Sequence, residues 1–316
     1  MPPESYDSVL KHIIQTDTIL LNYFTEHEYP KILNGQNYVV KGELECLGKQ
    51  ACVAVDASNP ENFVLIKIPA VNSNLESGRQ LLFEYMMQHD AHKRTYFGTC
   101  TVAKPLGIIR YNTGNPGPDK SPFAYLMVIT FCPVVSETCH TVTLAKALQA
   151  QSTVKPLLTV IEWRNVCKYL IEGFNTLQRN DIYHNNVHPS NILLRFHENS
   201  VQPMITGFTN SSRATAINWS PSKPLPKALY TYIPTAHHIA PELFQQAFPL
   251  PTSDLYGVSL AIEAICVAIR FFRTASLMRQ YRQKNPSQRD NHAVLLHKMQ
   301  LEMTNDLQDP LESPGP

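Results

Sequence analysis

The sequence predicts an α+β fold, with a β-rich first part followed by a helical second part. From residue 38 to 133, short runs rich in β-branched and aromatic residues alternate with turn residues. Beyond residue 133, strand signals become rare and apolar residues recur mainly at helical spacing. Hydrophobic residues make up 43% of the 316 residues, enough for a sizeable core. This order of elements predicts two lobes with a cleft between them.

Charge and cysteine content limit the classes of function. A formal net charge of +1 gives no electrostatic argument for binding nucleic acid. The seven cysteines are odd in number and lack C-x-x-C spacing, which favours a reducing, cytoplasmic environment. The first residues lack the pattern of a secretory signal. The longest apolar run, residues 255–272, contains Glu263 and Arg270, so it predicts a buried helix and no membrane span.

Three consecutive segments are expected. Residues 1–34 form an N-terminal extension, in which residues 6–24 have the spacing of an amphipathic helix. This helix either packs on the following domain or binds a partner. Residues 35–133 form the β-rich lobe, and residues 134–316 form the helical lobe.

The β-rich lobe is predicted to contain five strands and one helix. Three strands are "YVVKGELE", "QACVAVDA" and "FVLIKIP", and "LESGRQLLFEYMMQ" then has the pattern of a helix. Two further strands, "AKPLGIIRY" and "FAYLMVITF", bracket a loop rich in Gly and Pro. In the helical lobe, the clearest prediction besides residues 255–272 is a long helix at "VIEWRNVCKYLIEGFNTLQ".

The stretch "YHNNVHPSNILL", residues 183–194, directly follows that long helix and leads into a β run. It resembles the catalytic loop of eukaryotic-type protein kinases, whose pattern is H-R-D-L-x-x-x-N. The matching positions here are His184, Asn185, Asn186, Val187 and Asn191.

Other kinase landmarks follow in the family's order. "CLGKQACV" resembles the glycine-rich phosphate loop and keeps Gly48 and Val53. "VLIK" ends at Lys67, which matches the strand lysine, and Glu84 lies on the next helix at a suitable distance to pair with it. The glycine loop is the weakest of these matches, and the order and spacing of the set make the resemblance specific.

Further matches lie after the catalytic loop. "GFT", residues 207–209, stands at the D-F-G position, and "APE" ends at Glu242. Asp254 matches the aspartate that opens a core helix in kinases, where it accepts hydrogen bonds from the catalytic-loop backbone. "DPLESP" resembles D-P-x-x-R-P with Ser313 in place of the arginine that pairs with Glu242, so that glutamate is expected to lack a partner and the helical lobe to lack the family's last helix.

Two departures from the kinase pattern remove chemistry. The position of the catalytic base is Asn186, a neutral amide, and the position of the magnesium-binding aspartate is Gly207. Asn191 remains as a weak metal ligand with a neutral carbonyl oxygen. Asp181 is expected to face solvent and not to replace the base. His188 stands where many kinases have a lysine, and it has either a structural or a catalytic role.

The resemblance implies a candidate nucleotide site with weak binding of ATP that is independent of magnesium. Lys67 and Glu84 either form a structural ion pair or share the lysine with nucleotide phosphates. No catalytic residue is expected among the degenerate positions. The candidate nucleotide-binding residues are Gly48, Val53, Lys67, Glu84 and Asn191.

The sequence thus predicts a catalytically inactive kinase-like protein, a pseudokinase, that acts as a binding, scaffolding or allosteric module with protein partners. The segment 207–242 contains "NWSPSKPLPK", which is either a mobile loop or a docking motif. Two alternatives remain: a weak or atypical ATP-dependent protein kinase, and a switch that senses ATP without transferring phosphate.

Overall fold

The protein has an α+β fold, and its chain divides into two compact units. Unit 1 comprises Met1–Lys93, Val102–Thr141 and Gly207–Asn210, and unit 2 comprises the remaining segments. The computed structural model describes residues 6–46, 49–67, 75–96, 98–112, 123–130, 141–151, 157–197, 200–213, 238–244 and 249–308.

Unit 1 is built on a six-stranded sheet of order β1-β6-β7-β4-β3-β2. The β1 strand runs parallel to β6, and the other neighbours are antiparallel. Alternating apolar residues place Ala54, Val64, Ile66 and Val128 in one buried cluster on the sheet. The strands are β1 (Ile32–Leu33), β2 (Tyr38–Cys46), β3 (Lys49–Asp56), β4 (Asn59–Lys67), β6 (Pro105–Asn112) and β7 (Phe123–Thr130).

The N-terminal extension contains two helices, α1 (Ser8–Thr16) and α2 (Thr18–Glu26), where the periodicity predicts one. Asp17 interrupts the helix because its extended backbone caps α2, and its side chain accepts hydrogen bonds from the N–H groups of Ile19 and Leu20. The extension packs within unit 1, as the first of the two alternatives expects.

Asp7 fixes the beginning of α1 to the sheet. Its Oδ1 caps α1 and accepts a hydrogen bond from Tyr125, while Oδ2 accepts one from Arg110 at 2.8 Å. Further along, Asp17 pairs with Arg79 of the next helix, α3 (Leu75–Thr95). Tyr23 of α2 and His89 of α3 are joined by a 2.8 Å hydrogen bond. The extension therefore contacts both the sheet and α3.

Unit 2 is mainly helical and centres on α5 (Val160–Arg179) and α6 (Ser253–Ala268). A capping box of Thr159 and Glu162 begins α5, and one face of this helix is fully buried. A second sheet, most of whose residues belong to unit 2, has the order β5-β10-β9-β8 and consists of β5 (Thr101–Val102), β8 (Thr141–Thr143), β9 (Ile192–His197) and β10 (Ser200–Ile205). The remaining helices are α4 (Leu144–Gln151), α7 (Phe272–Gln283) and α8 (His292–Gln308).

The sequence predicts a single helix over the apolar run 255–272, but the structure has two helices there. Helix α6 ends at Ala268, and α7 begins at Phe272. Arg270 between them has a φ of 63°, in the left-handed region, so the chain turns at this point. Among the residues that the structure describes, no helix combines the length and the hydropathy that a membrane span requires.

Candidate functional site

Lys67 and Glu84 form a buried ion pair in unit 1. Lys67 ends β4, where it is in register with Ala51 on one side and Met127 on the other, and Glu84 extends from α3. Both residues are almost completely buried, so each charge depends on its partner for compensation. The predicted pairing is confirmed.

Glu84 has a second partner that the sequence does not predict. The hydroxyl of Thr209 donates to Oε2 of Glu84 at 2.7 Å, while Lys67 bonds to Oε1. Phe208 is fully buried beside it, and the segment Gly207–Asn210 belongs to unit 1. Gly207 has a φ of 89°, a conformation that glycine adopts at little cost. Both carboxylate oxygens of Glu84 are therefore engaged.

Gly48 lies outside the described residues. Val53 lies in β3, half-buried, and is in register with Gly42 and Leu65. The structure therefore describes the strands on either side of the candidate phosphate loop, β2 and β3, but not Gly48 between them.

In unit 2, Asp254 organises the backbone of the loop that contains the candidate catalytic positions. Its two carboxylate oxygens accept hydrogen bonds from the N–H groups of His184 and Asn185, each at 2.7 Å. This is the contact that the resemblance predicts, and it is confirmed. Burial raises the pKa of the Asp254 carboxyl to about 6, while the two backbone hydrogen bonds act in the opposite direction.

His184 is fully buried and has a structural role in this loop. Its Nε2–H donates to the carbonyl of Thr206 at 3.0 Å, and its Nδ1 accepts from the N–H of Asn186 at 3.3 Å. Both ring nitrogens of His184 therefore form hydrogen bonds with backbone groups of unit 2. Asn185, with a φ of 59°, donates from its side chain to the hydroxyl of Ser212 at 2.8 Å.

Asn186, at the position that the resemblance assigns to the catalytic base, is held by a histidine. Nε2 of His238 donates to Oδ1 of Asn186 at 2.8 Å, and His238 is buried. Gly257 of α6 permits this arrangement, because a side-chain carbon there would lie 2.9 Å from the carbonyl of His238 and 2.7 Å from Val187. The sequence gives no periodicity or motif that indicates this contact of Asn186 with His238.

His188 is a neutral residue with a structural contact. Its Nδ1 accepts a hydrogen bond from the N–H of Ser190 at 3.1 Å, and its ring meets that of His238 edge-to-face at 4.8 Å. Burial, and to a smaller extent the neighbouring His238, lower the pKa of His188 to about 4. These contacts favour the structural alternative for His188.

Asn191 has a side chain that is already engaged on one side. Its Nδ2 donates to the carbonyl of Asn186 at 3.0 Å, which leaves a neutral oxygen as the only group that a cation could use. The neighbouring carboxylate, Asp254, has both oxygens bound to N–H groups. Because magnesium prefers charged oxygen ligands, these residues do not fit a magnesium site.

Asp181 is half-buried with a φ of 59°, in the turn before the loop, so the expectation of a solvent-facing side chain holds only in part. Most of the segment 207–242 that the sequence indicates as a partner site, including "NWSPSKPLPK", lies outside the described residues.

Glu242 has a partner, contrary to the expectation from the sequence. Nη1 of Arg289 donates to its Oε1 at 2.6 Å, and both residues are buried. The resemblance places the arginine position at Ser313, but the partner of Glu242 lies 24 residues earlier along the chain. A long helix, α8, follows Arg289. The expectation that Glu242 lacks a partner is therefore wrong.

No protein-family model matches the chain, and the search of curated proteins finds no match. The class of protein is inferred from the residues and contacts described above.

Proposed function

We propose that this chain is a protein-kinase-like protein that has lost phosphotransfer and acts as a binding, scaffolding or allosteric module. In this proposal, unit 1 corresponds to the β-rich lobe of the kinase fold and unit 2 to the helical lobe. The observation that carries it is the state of Asn186. Its amide oxygen is bonded to His238, so the position of the base holds a neutral group that serves as a structural contact.

The loss of a base is a large kinetic penalty. A positioned general base contributes roughly 10²–10⁴-fold to a rate, and an amide cannot accept a proton near neutral pH. Gly207 adds an independent loss, because the carboxylate that would bridge magnesium to the phosphates is missing. Together these changes favour binding over catalysis.

The contacts that organise the loop and the Lys67–Glu84 pair are present, which supports the proposal of a folded binding module. Asp254 still organises the loop backbone, and Lys67 still pairs with Glu84. The pair Glu242–Arg289 further supports the kinase-like assignment, since "NPSQR", residues 285–289, has the spacing of D-P-x-x-R. In this alignment, α8 would correspond to the last helix of the kinase fold, which the sequence predicts to be missing.

Nucleotide binding is proposed to be weak and indifferent to magnesium. Lys67 is the cation that would meet ATP phosphates, but Glu84 already compensates its charge, and Thr209 holds Glu84 in place. This buried triad also supports the second candidate function, an ATP-sensing switch, because a nucleotide would have to compete with Glu84 for Lys67.

The test combines thermal stability with a phosphotransfer assay on the purified full chain. We expect no phosphotransfer, and a small ATP-dependent rise in melting temperature that is the same with and without magnesium. Lys67→Met should remove that rise. Phosphotransfer by the wild type that Lys67→Met abolishes would overturn the proposal in favour of an atypical kinase. A large rise that requires magnesium would contradict the assignment of Gly207.

A further inference from the structure

A groove between α5 and α8 in unit 2 has the features of a docking site for a peptide. Ile161, Arg164, Asn165 and Lys168 of α5 line one wall, and their i, i+3, i+4, i+7 spacing places them on a single helix face. Met299, Gln300 and Met303 of α8 complete the groove.

The groove has an apolar anchor point. Ile161 is 69% exposed, which is unusual for a large aliphatic side chain, while Met299 and Met303 are buried beneath the groove. Ile161 is therefore the apolar side chain of the groove that a partner can reach, and the two methionines form its buried floor. The cavity has a volume of about 250 Å³. This is below the ~300–1,000 Å³ typical of small-molecule sites, and it suits one or two side chains of a larger partner.

The charge of the groove lining is positive and only partly compensated. The lining includes Arg164 and Lys168 and no carboxylate. Within the described part of the chain, Arg164 has no ion pair, and Lys168 meets Glu172 only at 3.8 Å with its side chain 43% exposed.

The carboxylates in the neighbouring turns are engaged elsewhere. Glu162 accepts two hydrogen bonds from Thr159, and Glu302 accepts one from Asn305. Asp306 accepts hydrogen bonds at the beginning of α7. Arg164 has no ion pair among the described residues and can meet a partner's carboxylate, whereas Lys168 shares its exposed charge with Glu172.

We propose that this groove binds an acidic, amphipathic segment of a partner protein, with an aliphatic side chain placed against Ile161 and carboxylates placed against Arg164 and Lys168. An amphipathic helix in a groove is a common mode of peptide recognition. That a partner exists at all rests on the proposed binding function. The chemistry of that partner rests on the groove alone.

The test uses three fluorescently labelled synthetic peptides and the full chain. The first has leucine at i, i+3, i+4 and i+7 and glutamate at most other positions. The second has lysine in place of glutamate, and the third has alanine in place of leucine. We expect anisotropy to show binding of the first peptide only, weakening as salt is raised because exposed charges are screened.

Exposed positions provide variants that should fold. Ile161→Asp should weaken binding of the glutamate peptide about tenfold or more, and Arg164→Glu should weaken it while strengthening binding of the lysine peptide. Val294→Asp is the matched control, since Val294 is an exposed aliphatic residue of α8 that does not line the groove. It should leave binding unchanged.

Four results would overturn the inference: no binding of the glutamate peptide, equal binding of all three peptides, equal effects of Ile161→Asp and Val294→Asp, or a wild-type dimer that Ile161→Asp dissociates in sedimentation. The last result would mean that a second copy of the chain covers the groove. A phosphotransfer assay on the same preparations separates the two proposals, because activity would contradict the proposed function without changing the peptide result.

Discussion

Arg289 and Glu242 form an ion pair in the interior of unit 2. The side chains are 1% and 5% exposed, and Nη1 of Arg289 lies 2.6 Å from Oε1 of Glu242. The same oxygen accepts a hydrogen bond from the hydroxyl of Ser253 at 2.9 Å, and the guanidinium lies 5.0 Å from the centre of the Tyr256 ring. The pair thus joins the segment at Glu242 to α6 and to the turn before α8.

Arg289→Ala should strongly destabilise the protein. Removal of one partner leaves the Glu242 carboxylate buried without its compensating charge, at a cost of about 3–5 kcal/mol. Urea unfolding followed by circular dichroism measures the change. Arg279→Ala is a suitable control, because Arg279 pairs with Glu263 at a side chain that is 60% exposed. It should cost less than about 1 kcal/mol. Similar losses in the two variants would contradict the importance of burial.

Asp254→Ala should destabilise the loop at residues 184–186. The N–H groups of His184 and Asn185 would lose the Asp254 oxygens as acceptors, and unpaired buried donors cost about 1–3 kcal/mol. Asp254→Asn keeps one carbonyl oxygen and should have a smaller effect. Hydrogen exchange at the two amides provides the local measurement. Unchanged protection of both amides in Asp254→Ala would show that these hydrogen bonds do not hold the loop.

Asp306→Ala should weaken the beginning of α7, although the residue lies on α8. The N–H groups of Arg273 and Thr274 donate to its carboxylate at 3.0 Å, and α7 has no side-chain cap of its own. Loss of a helix cap costs about 0.5–2 kcal/mol. Glu302→Ala on the same helix is the control, and it should have a smaller effect. Equal melting temperatures for wild type and Asp306→Ala would sink this prediction.

His292 should make the protein less stable in mild acid. Burial, and to a smaller extent Arg179, lower its pKa to about 4 from the usual value near 6.5. Between these values the unfolded chain binds more protons than the folded chain, so stability should fall as pH drops from 6.5 towards 4. His89 and His188, whose pKa values are also lowered to about 4, act in the same direction.

The raised pKa of Asp254 acts in the opposite direction, because the folded chain binds its proton more tightly than the unfolded chain between about pH 6 and 4. Thermal unfolding from pH 4.5 to 7, roughly the titration range of histidine, isolates the histidine contribution through variants. His292→Phe should reduce the pH dependence. His297→Phe, at an exposed position on the same helix, should leave it unchanged. An unaltered pH profile in His292→Phe would show that the ring does not titrate as described.

Asn186→Asp alone should not give phosphotransfer. The new carboxylate would accept a hydrogen bond from Nε2 of His238, and no metal would hold the phosphates. Gly207→Asp should introduce magnesium-dependent ATP binding without turnover, because it supplies a carboxylate for the metal but no base. The backbone can accept this change, because aspartate is among the residues that tolerate a positive φ.

Gly207→Ala, which carries the backbone strain without the carboxylate, is the control for Gly207→Asp. We expect only the double variant to transfer phosphate. Phosphotransfer by Asn186→Asp alone would show that loss of the metal-binding carboxylate does not limit the chain.

The sequence predicts the parts of this structure that depend on local patterns. Alternating apolar residues locate the strands around Lys67, and helical periodicity locates α5. The contacts Lys67–Glu84 and Asp254 to the loop backbone are those that the resemblance to protein kinases implies.

Long-range contacts made by single residues are less accessible from the sequence. Thr209 and His238 lie far along the chain from Glu84 and Asn186, and neither belongs to a periodic pattern. Arg289 is an exception, because its spacing from Pro286 has the pattern P-x-x-R and is visible in the sequence. Asp17 shows how one polar residue that caps a helix divides a continuous apolar pattern into two helices.

The assignment of Gly207–Asn210 to unit 1 has a consequence for any shortened form of the protein. The chain passes from one unit to the other five times, after residues 93, 101, 141, 206 and 210. A polypeptide that stops at Thr141 would contain the whole six-stranded sheet but not Thr209, so Glu84 would lose a hydrogen-bond partner. Each unit consists of three separate segments of the chain, so neither can be expressed or exchanged as one uninterrupted stretch of the gene without the loss of some of its internal contacts.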